Sequence, residues 1–286
     1  MQARLRTLLG DYRVTRAMKS GEICSADLAF DFAEVKVPNT AFKRVVRDLE
    51  FDVAELAIFT FLLARAHGKP LSLLPAVVTA RFQHPFLVCV AARGPMLPED
   101  LPGRRVGLRS YSVTTAAWIR GILCDDYDVG LERVNWVTFE EPHVAEYRDP
   151  PNVERAAAGT DMISMLREGT LDAAIVGELS SDSRFVSVIP DPAAAAQAWH
   201  KRTGAIQINH MLVVSDALAK DRPHAAEEIV RLFAQSKRTA GLPASDTLDM
   251  NPVGREANHH NLEVAIDCAY RQGMIPRRFE VAELYA

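Results

Sequence analysis

The chain has 286 residues, 48% hydrophobic and 24% charged, with a formal net charge of −4. That length suits one large or two ordinary globular domains with real cores. The mild acidity, with basic residues scattered along the chain, excludes nucleic acid and anionic membrane as partners held by bulk charge.

In chain order, Arg4 to Leu9 predicts a first strand, Gly10-Asp11-Tyr12 a turn, and Val14 to Ser20 a helix start. Leu28 to Val35 alternates apolar and polar residues and predicts a second strand. Thr40 opens a helix through Leu49, with Phe42, Val45 and Val46 on its buried face. Phe51 to Leu56 predicts a short strand, and Phe59 to His67 a helix ended by Gly68. Leu71 to Val78 and Phe86 to Ala92 are nearly continuous apolar runs, the pattern of buried strands.

Pro98 to Leu123 predicts a turn, the strand Arg105 to Leu108, a hydroxyl-rich loop and a helix with Ala116, Ile119 and Leu123 on one face. Val134 to Phe139 is a strand, Glu140 to about Gly159 a polar loop, and Asp161 to Glu168 a helix with Met162, Met165 and Leu166 inward. Leu171 to Val176 and Phe185 to Ile189 are strands, Ala193 to His200 a helix and Met211 to Val214 a strand. From Asp216 onward the pattern is mostly helical, broken near Pro243 and Pro252.

Alternating strands and helices predict a mostly parallel α/β protein. The spacing predicts two lobes, residues 1–88 plus 209–286 and residues 89–208, with ligand bound in a cleft between them at carboxyl ends of strands.

Four cysteines, Cys24, Cys89, Cys124 and Cys268, show no CxxC and no metal-finger spacing. Cys89 and Cys124 lie in apolar runs, as buried free thiols do, which fits a reducing compartment. No run of about 18 apolar residues exists, so no membrane span is expected. Leu8-Leu9 is too short an apolar core for a secretion signal. With Met1 as the natural start, a cytoplasmic location is expected.

The stretches GDYRVTRAMKSG, FDVAELAIFTFLLARAHG, PAVVTARFQHPFLVCVAARG, DLPGRRVGLRSYSVTTAAWIRGIL, VNWVTFEEP, MLREGTLDAAIVGE and KRTGAIQINHMLVV follow one another in order. On them, roughly over residues 4 to 235, the chain resembles the 4,5-dihydroxyphthalate decarboxylase family. RFQH and TGAIQINH are the most specific pieces. The resemblance implies a type II periplasmic-binding-protein-like fold, with mixed sheets flanked by helices, and an aromatic acid as ligand. Two departures bear on substrate and activity. Leu56-Ala57-Ile58-Phe59-Thr60 is more apolar than the family pattern, and the loop from Glu140 to Asp161 is short for it.

The residues themselves suggest the chemistry. Arg81 can hold a carboxylate through two parallel hydrogen bonds. His84 is of the residue type that can supply or take a proton near neutral pH; the alternative for each is structural, an ion pair and a hydrogen-bonded core histidine. The resemblance favours function at both, since they match its motif. His210 precedes a second apolar run, as a proton-moving group or a hinge residue. Glu55 enters an apolar run, where an unpaired carboxylate is expensive. It therefore pairs with a base, binds a metal, works with a raised pKa, or meets an arginine. Asp11, Tyr12 and Thr15 occupy the first strand-to-helix turn, for ligand contact or capping. Ser110, Tyr111, Ser112, Thr114 and Thr115 gather at a helix start, where free N–H groups suit a carboxylate. Capping of that helix by Ser112 or Thr114 is the alternative.

Glu55, His84 and His210 are types that hold Zn²⁺, Mn²⁺ or Fe²⁺, but no local ligand spacing accompanies them. His259-His260 predicts a solvated surface pair. No phosphate loop or dinucleotide fingerprint occurs, so no cofactor is expected. The expected activity is cofactor-free decarboxylation of a hydroxylated aromatic acid, with His84 or His210 as acid, Glu55 as base, and Arg81 and the 110–115 loop as anchors. The alternative is a non-catalytic solute-binding protein of an ABC-type transporter, taking an aromatic or other small carboxylate. The expected partner is thus a small aromatic carboxylate, and a homo-oligomer is left open.

Overall fold

The computed structural model describes residues 2–179 and 181–286. Its strands among these are β1 (Ala3–Leu8), β2 (Leu28–Phe32), β3 (Val53–Ala57), β4 (Leu71–Ala80), β5 (Leu87–Val90), β6 (Arg105–Leu108), β7 (Asn135–Thr138), β8 (Val153–Arg155), β9 (Ala173–Ile175), β10 (Phe185–Ser187) and β11 (Ile208–Ser215). The chain forms two compact units, Met1–Arg81 with Ile206–Ala286, and Phe82–Ala205.

In the first unit the sheet order is β2-β1-β3-β11-β4. β1, β2 and β3 run parallel, and β11 runs antiparallel to both β3 and β4. All five residues of β3 are buried, which is why the run reads as continuously apolar apart from Glu55. Leu5, Val53, Leu74, Val78, Leu212 and Val214 from the strands pack with Ile229, Leu232 and Phe233. Those last three lie on the helix Pro223–Thr239. The late helical segment therefore packs on the first unit, as its amphipathic spacing suggests.

In the second unit the order is β10-β5-β9-β6-β7-β8. β9, β6, β7 and β8 are parallel, and β5 is antiparallel to β9 and β10. Asp161 caps the helix Met162–Glu168 by accepting from the Ser164 N–H at 2.8 Å, the usual way to satisfy a first-turn donor.

Three expectations need adjustment. Both sheets are mixed, as the resemblance implies, rather than mostly parallel as the strand–helix alternation suggests; in the first, β11 inserts between β3 and β4 after the whole second unit, and no local crossover sets its direction. β8 lies within the stretch expected to be loop, and its three residues are too few to carry a period. The units divide at 81/82 and 205/206 rather than at 88/89 and 208/209. Ile208 pairs with Ala80 on β4, whereas β5 pairs with β9 and β10. His84 thus belongs to the second unit. No helix of the described residues is long and apolar enough to cross a membrane.

Candidate active site

Strand register builds one polar cluster inside the first unit. His210 pairs with Ala57, and Leu212 with Glu55. Side chains alternate along a strand, so His210 and Glu55 share one face as diagonal neighbours. β1 pairs with β3 through Leu8 and Ala54, so the turn after β1 reaches the same end. Because β11 is antiparallel, its amino-terminal half meets the carboxyl end of β3, whose other neighbour is β1.

Glu55 is fully buried. Its Oε1 accepts from the Tyr12 hydroxyl at 2.8 Å and stands 3.3 Å from His210 Nδ1. Its Oε2 accepts from the Gly10 N–H at 3.2 Å. The carboxylate therefore meets a phenol, an imidazole and a backbone amide, which answers the cost of burying it. The arginine partner that the sequence allowed is not what it meets. Burial, then the charge of Glu55 and the bond to it, push the Tyr12 hydroxyl far above its ordinary range. Tyr12 consequently stays a phenol and a donor. Phe42 sets its ring edgewise to His210, with centroids 5.0 Å apart.

The turn that delivers Tyr12 is fastened by Thr15, whose hydroxyl donates to the Gly10 carbonyl at 2.7 Å and accepts from the Tyr12 N–H at 3.0 Å. A Cβ at Gly10 would lie 2.6 Å from the end of the Tyr12 ring, so any larger residue would displace that ring. Gly10 and Phe42 escaped the sequence reading as site residues; the Gly-Asp-Tyr turn directly after β1 was the available signal. Asp11 points elsewhere, into a 3.5 Å ion pair with Arg16 in which both side chains are about two-thirds exposed. Such a pair contributes little.

Arg81 closes the first unit, its N–H donating to the Gln207 carbonyl at 3.2 Å. His84, in the second unit, is fully buried, and neither ring nitrogen has a hydrogen-bond partner. Its ring lies 6.4 Å from that of Phe82 and 6.5 Å from that of Trp199. Burial, helped by the charge of Arg202, lowers its pKa to about 4. A histidine of that kind is neutral at pH 7 and carries no proton to donate as imidazolium.

In the 110–115 loop, Ser110, Tyr111, Ser112 and Thr114 are buried and Thr115 is half-buried. The helix Thr114–Tyr127 starts after Val113, and no side chain caps it. The cap position thus falls to Val113 rather than to Ser112 or Thr114. Among the described residues no group of three or more His, Cys, Asp or Glu side chains could hold a metal ion. His259 and His260 both reach the exposed Glu263 carboxylate at 3.3 Å, as a surface pair.

No family model matches the chain. It is 24% identical to a 4,5-dihydroxyphthalate decarboxylase of Comamonas testosteroni over a 318-residue alignment covering 97% of this chain and 94% of the relative. It is 27% identical to a 4,5-dihydroxyphthalate decarboxylase of Pseudomonas putida, over 68% of this chain and 80% of that one. Among solved structures, the periplasmic aliphatic sulphonate binding protein SsuA of Escherichia coli is similar with a TM-score of 0.60, at 12% identity over 100% of this chain and 98% of that one. A Candida albicans protein with the generic periplasmic binding protein fold is similar with a TM-score of 0.55, at 12% identity over 98% and 93%. The fold is thus the type II periplasmic-binding-protein-like one, and the resemblance read from the sequence is borne out by two 4,5-dihydroxyphthalate decarboxylases, one over nearly the whole chain and one over about two thirds of it.

Proposed function

We propose that this protein is a carboxy-lyase that decarboxylates a hydroxylated aromatic acid of the dihydroxyphthalate kind, in aromatic-acid breakdown, with the Glu55 cluster as its proton-moving centre. The observation that carries the reading is the fully buried Glu55 holding His210 Nδ1 and the Tyr12 hydroxyl on one oxygen. The two similar proteins named as decarboxylases support it. The same fold also serves solute binding, so fold alone supplies no activity.

Decarboxylation of an aryl acid needs a proton at the ring carbon that carries the departing carboxylate. A ring hydroxyl ortho or para to that carbon pushes electron density toward it. His210 is the proton donor in this scheme. Glu55 engages Nδ1, which leaves Nε2 to exchange the proton. The imidazolium gives its proton to the ring carbon, the carbon–carbon bond breaks, its electron pair returns to the ring and CO2 leaves. The imidazole then takes a fresh proton from water, so each turnover consumes one. Glu55 already accepts from three groups, and its role shifts from base toward the substrate to a positioning partner that stabilises the imidazolium. Tyr12 and Gly10 fix the carboxylate for that task. Arg81 and the 110–115 loop belong to the proposal as carboxylate anchors, best used on a retained carboxylate, because gripping the leaving one stabilises the ground state.

The test incubates purified protein with 4,5-dihydroxyphthalate and a panel of hydroxybenzoates, following CO2 release with and without a chelator. Release from at least one acid that survives chelation is expected. Tight binding without turnover overturns the reading in favour of a solute-binding protein. The cytoplasmic location and a homo-oligomer are further parts of the proposal, checked by cell fractionation and by mass in solution.

A further inference from the structure

Gly10 is the most permissive point of the turn that carries Tyr12, because a residue without a Cβ restrains its neighbouring peptide groups least. Its N–H nevertheless aims at Glu55 Oε2, at 3.2 Å. Both carbonyls beside it are held from the short helix Arg16–Lys19 that follows the turn. The Thr15 hydroxyl, at the cap of that helix, donates to the Gly10 carbonyl at 2.7 Å. Lys19, its last residue, donates from Nζ to the Leu9 carbonyl at 2.8 Å.

Lys19 is half-buried. Its ammonium stands 5.8 Å from the centroid of the Phe32 ring on β2. Among the described residues no carboxylate forms an ion pair with it, so its charge is directed at the main chain. The Leu9 carbonyl and the Gly10 N–H belong to one trans peptide group, in which the two point in opposite directions. Lys19 therefore sits at the oxygen end of that dipole and Glu55 at the hydrogen end. A cation at the oxygen and an anion at the hydrogen both favour this orientation, and each hydrogen bond polarises the group in a way that strengthens the other. Rotating the peptide would turn a carbonyl oxygen toward a buried carboxylate, which is costly.

We propose that Lys19 is a positioning residue for the Glu55–His210 pair, acting through the Leu9–Gly10 peptide. It fixes the N–H that Glu55 Oε2 accepts, which leaves Oε1 for His210 Nδ1 and the Tyr12 hydroxyl. His210 from β11 and Tyr12 from the turn after β1 are the ionisable groups that meet the carboxylate directly; Lys19 acts from one peptide away. A positive charge there lowers the affinity of the pair for a proton, so its removal raises that affinity. The link to catalysis rests on the decarboxylase reading; the coupling of Lys19 to His210 is measured without it.

The experiment follows the ring protons of His210 by NMR through a pH titration of the full chain without substrate, the signal being assigned by its loss in His210→Gln. In Lys19→Met the titration midpoint should rise by about 0.5–1 pH unit. Lys19→Arg keeps a charged donor and should hold the midpoint within about 0.2 unit of the wild type. CO2 release from 4,5-dihydroxyphthalate is the second readout. Lys19→Met should lower kcat about tenfold and leave KM within about twofold, and Lys19→Arg should recover most of the loss. An unmoved or lowered midpoint in Lys19→Met overturns the proposal; if only its melting temperature falls, Lys19 merely fastens the turn. Should Lys19→Met not fold, Lys19→Gln, which keeps a donor for the Leu9 carbonyl without the charge, decides by the same midpoint. A raised midpoint without CO2 release by the wild type removes the decarboxylase reading and leaves the role of Lys19 standing.

Discussion

Two histidines, one in each unit, sit in opposite surroundings. His210 touches a carboxylate, 3.3 Å from Glu55, with its side chain 17% exposed. His84 is fully buried among aromatic rings, and neither nitrogen is partnered. The first environment gives the imidazole a carboxylate partner and a fixed direction; the second disfavours charge, with a pKa of about 4. Residue type therefore says little about a histidine's task until its neighbours are known. Both were candidates for the acid, and the proposal assigns that role to His210.

The sharpest way to break the comparison is to remove His210. His210→Gln should lower kcat by about 10²–10⁴-fold, measured as CO2 release at saturating substrate; retention within about tenfold would make His210 dispensable. Glu55→Gln comes next, with kcat down by about 10²-fold through loss of the negative charge that supports the imidazolium. A normal melting temperature in that variant would separate this effect from unfolding.

On the other side of the comparison, His84 should act on stability alone. Its folded pKa lies below the ordinary value of 6.5. Between pH 6.5 and 4 the unfolded chain binds more protons, so stability falls as pH falls through that window. About 2 kcal/mol should be lost from pH 7 to pH 5 through this group. In His84→Leu that share of the acid sensitivity should vanish, as read by urea denaturation at the two pH values. An equally steep acid loss in the variant would show that His84 is not the cause. The smallest effect belongs to Tyr12. Tyr12→Phe deletes one hydrogen bond to Glu55 and should cost about tenfold in kcat. Gly10→Ala should give a similar loss by displacing the Tyr12 ring; an unaffected Gly10→Ala enzyme would show that the ring adjusts freely.

Much of this was legible in the chain. Glu55 stood out because a carboxylate in an apolar run must have partners. Tyr12 and Thr15 stood out because they follow a strand-to-helix turn. Asp11 carried the same positional signal, yet it faces solvent toward Arg16, since position in a turn does not fix side-chain direction. Lys19 was invisible, because a lysine at the end of a short helix looks like a solvated residue until the Leu9 carbonyl is folded against it. β8 was missed for want of length.

By itself the sequence determined most of the segments that become strands and helices, β8 excepted, since local apolar period and turn residues decide that. Through ordered motifs it also carried the resemblance that the comparisons support. Tertiary structure alone decided that β11 runs antiparallel between β3 and β4, which depends on pairing across more than a hundred intervening residues. That single choice of register sets His210 diagonal to Glu55. It also decided that His84 is left without a partner, because burial and hydrogen bonding are properties of neighbours that lie far apart in the chain.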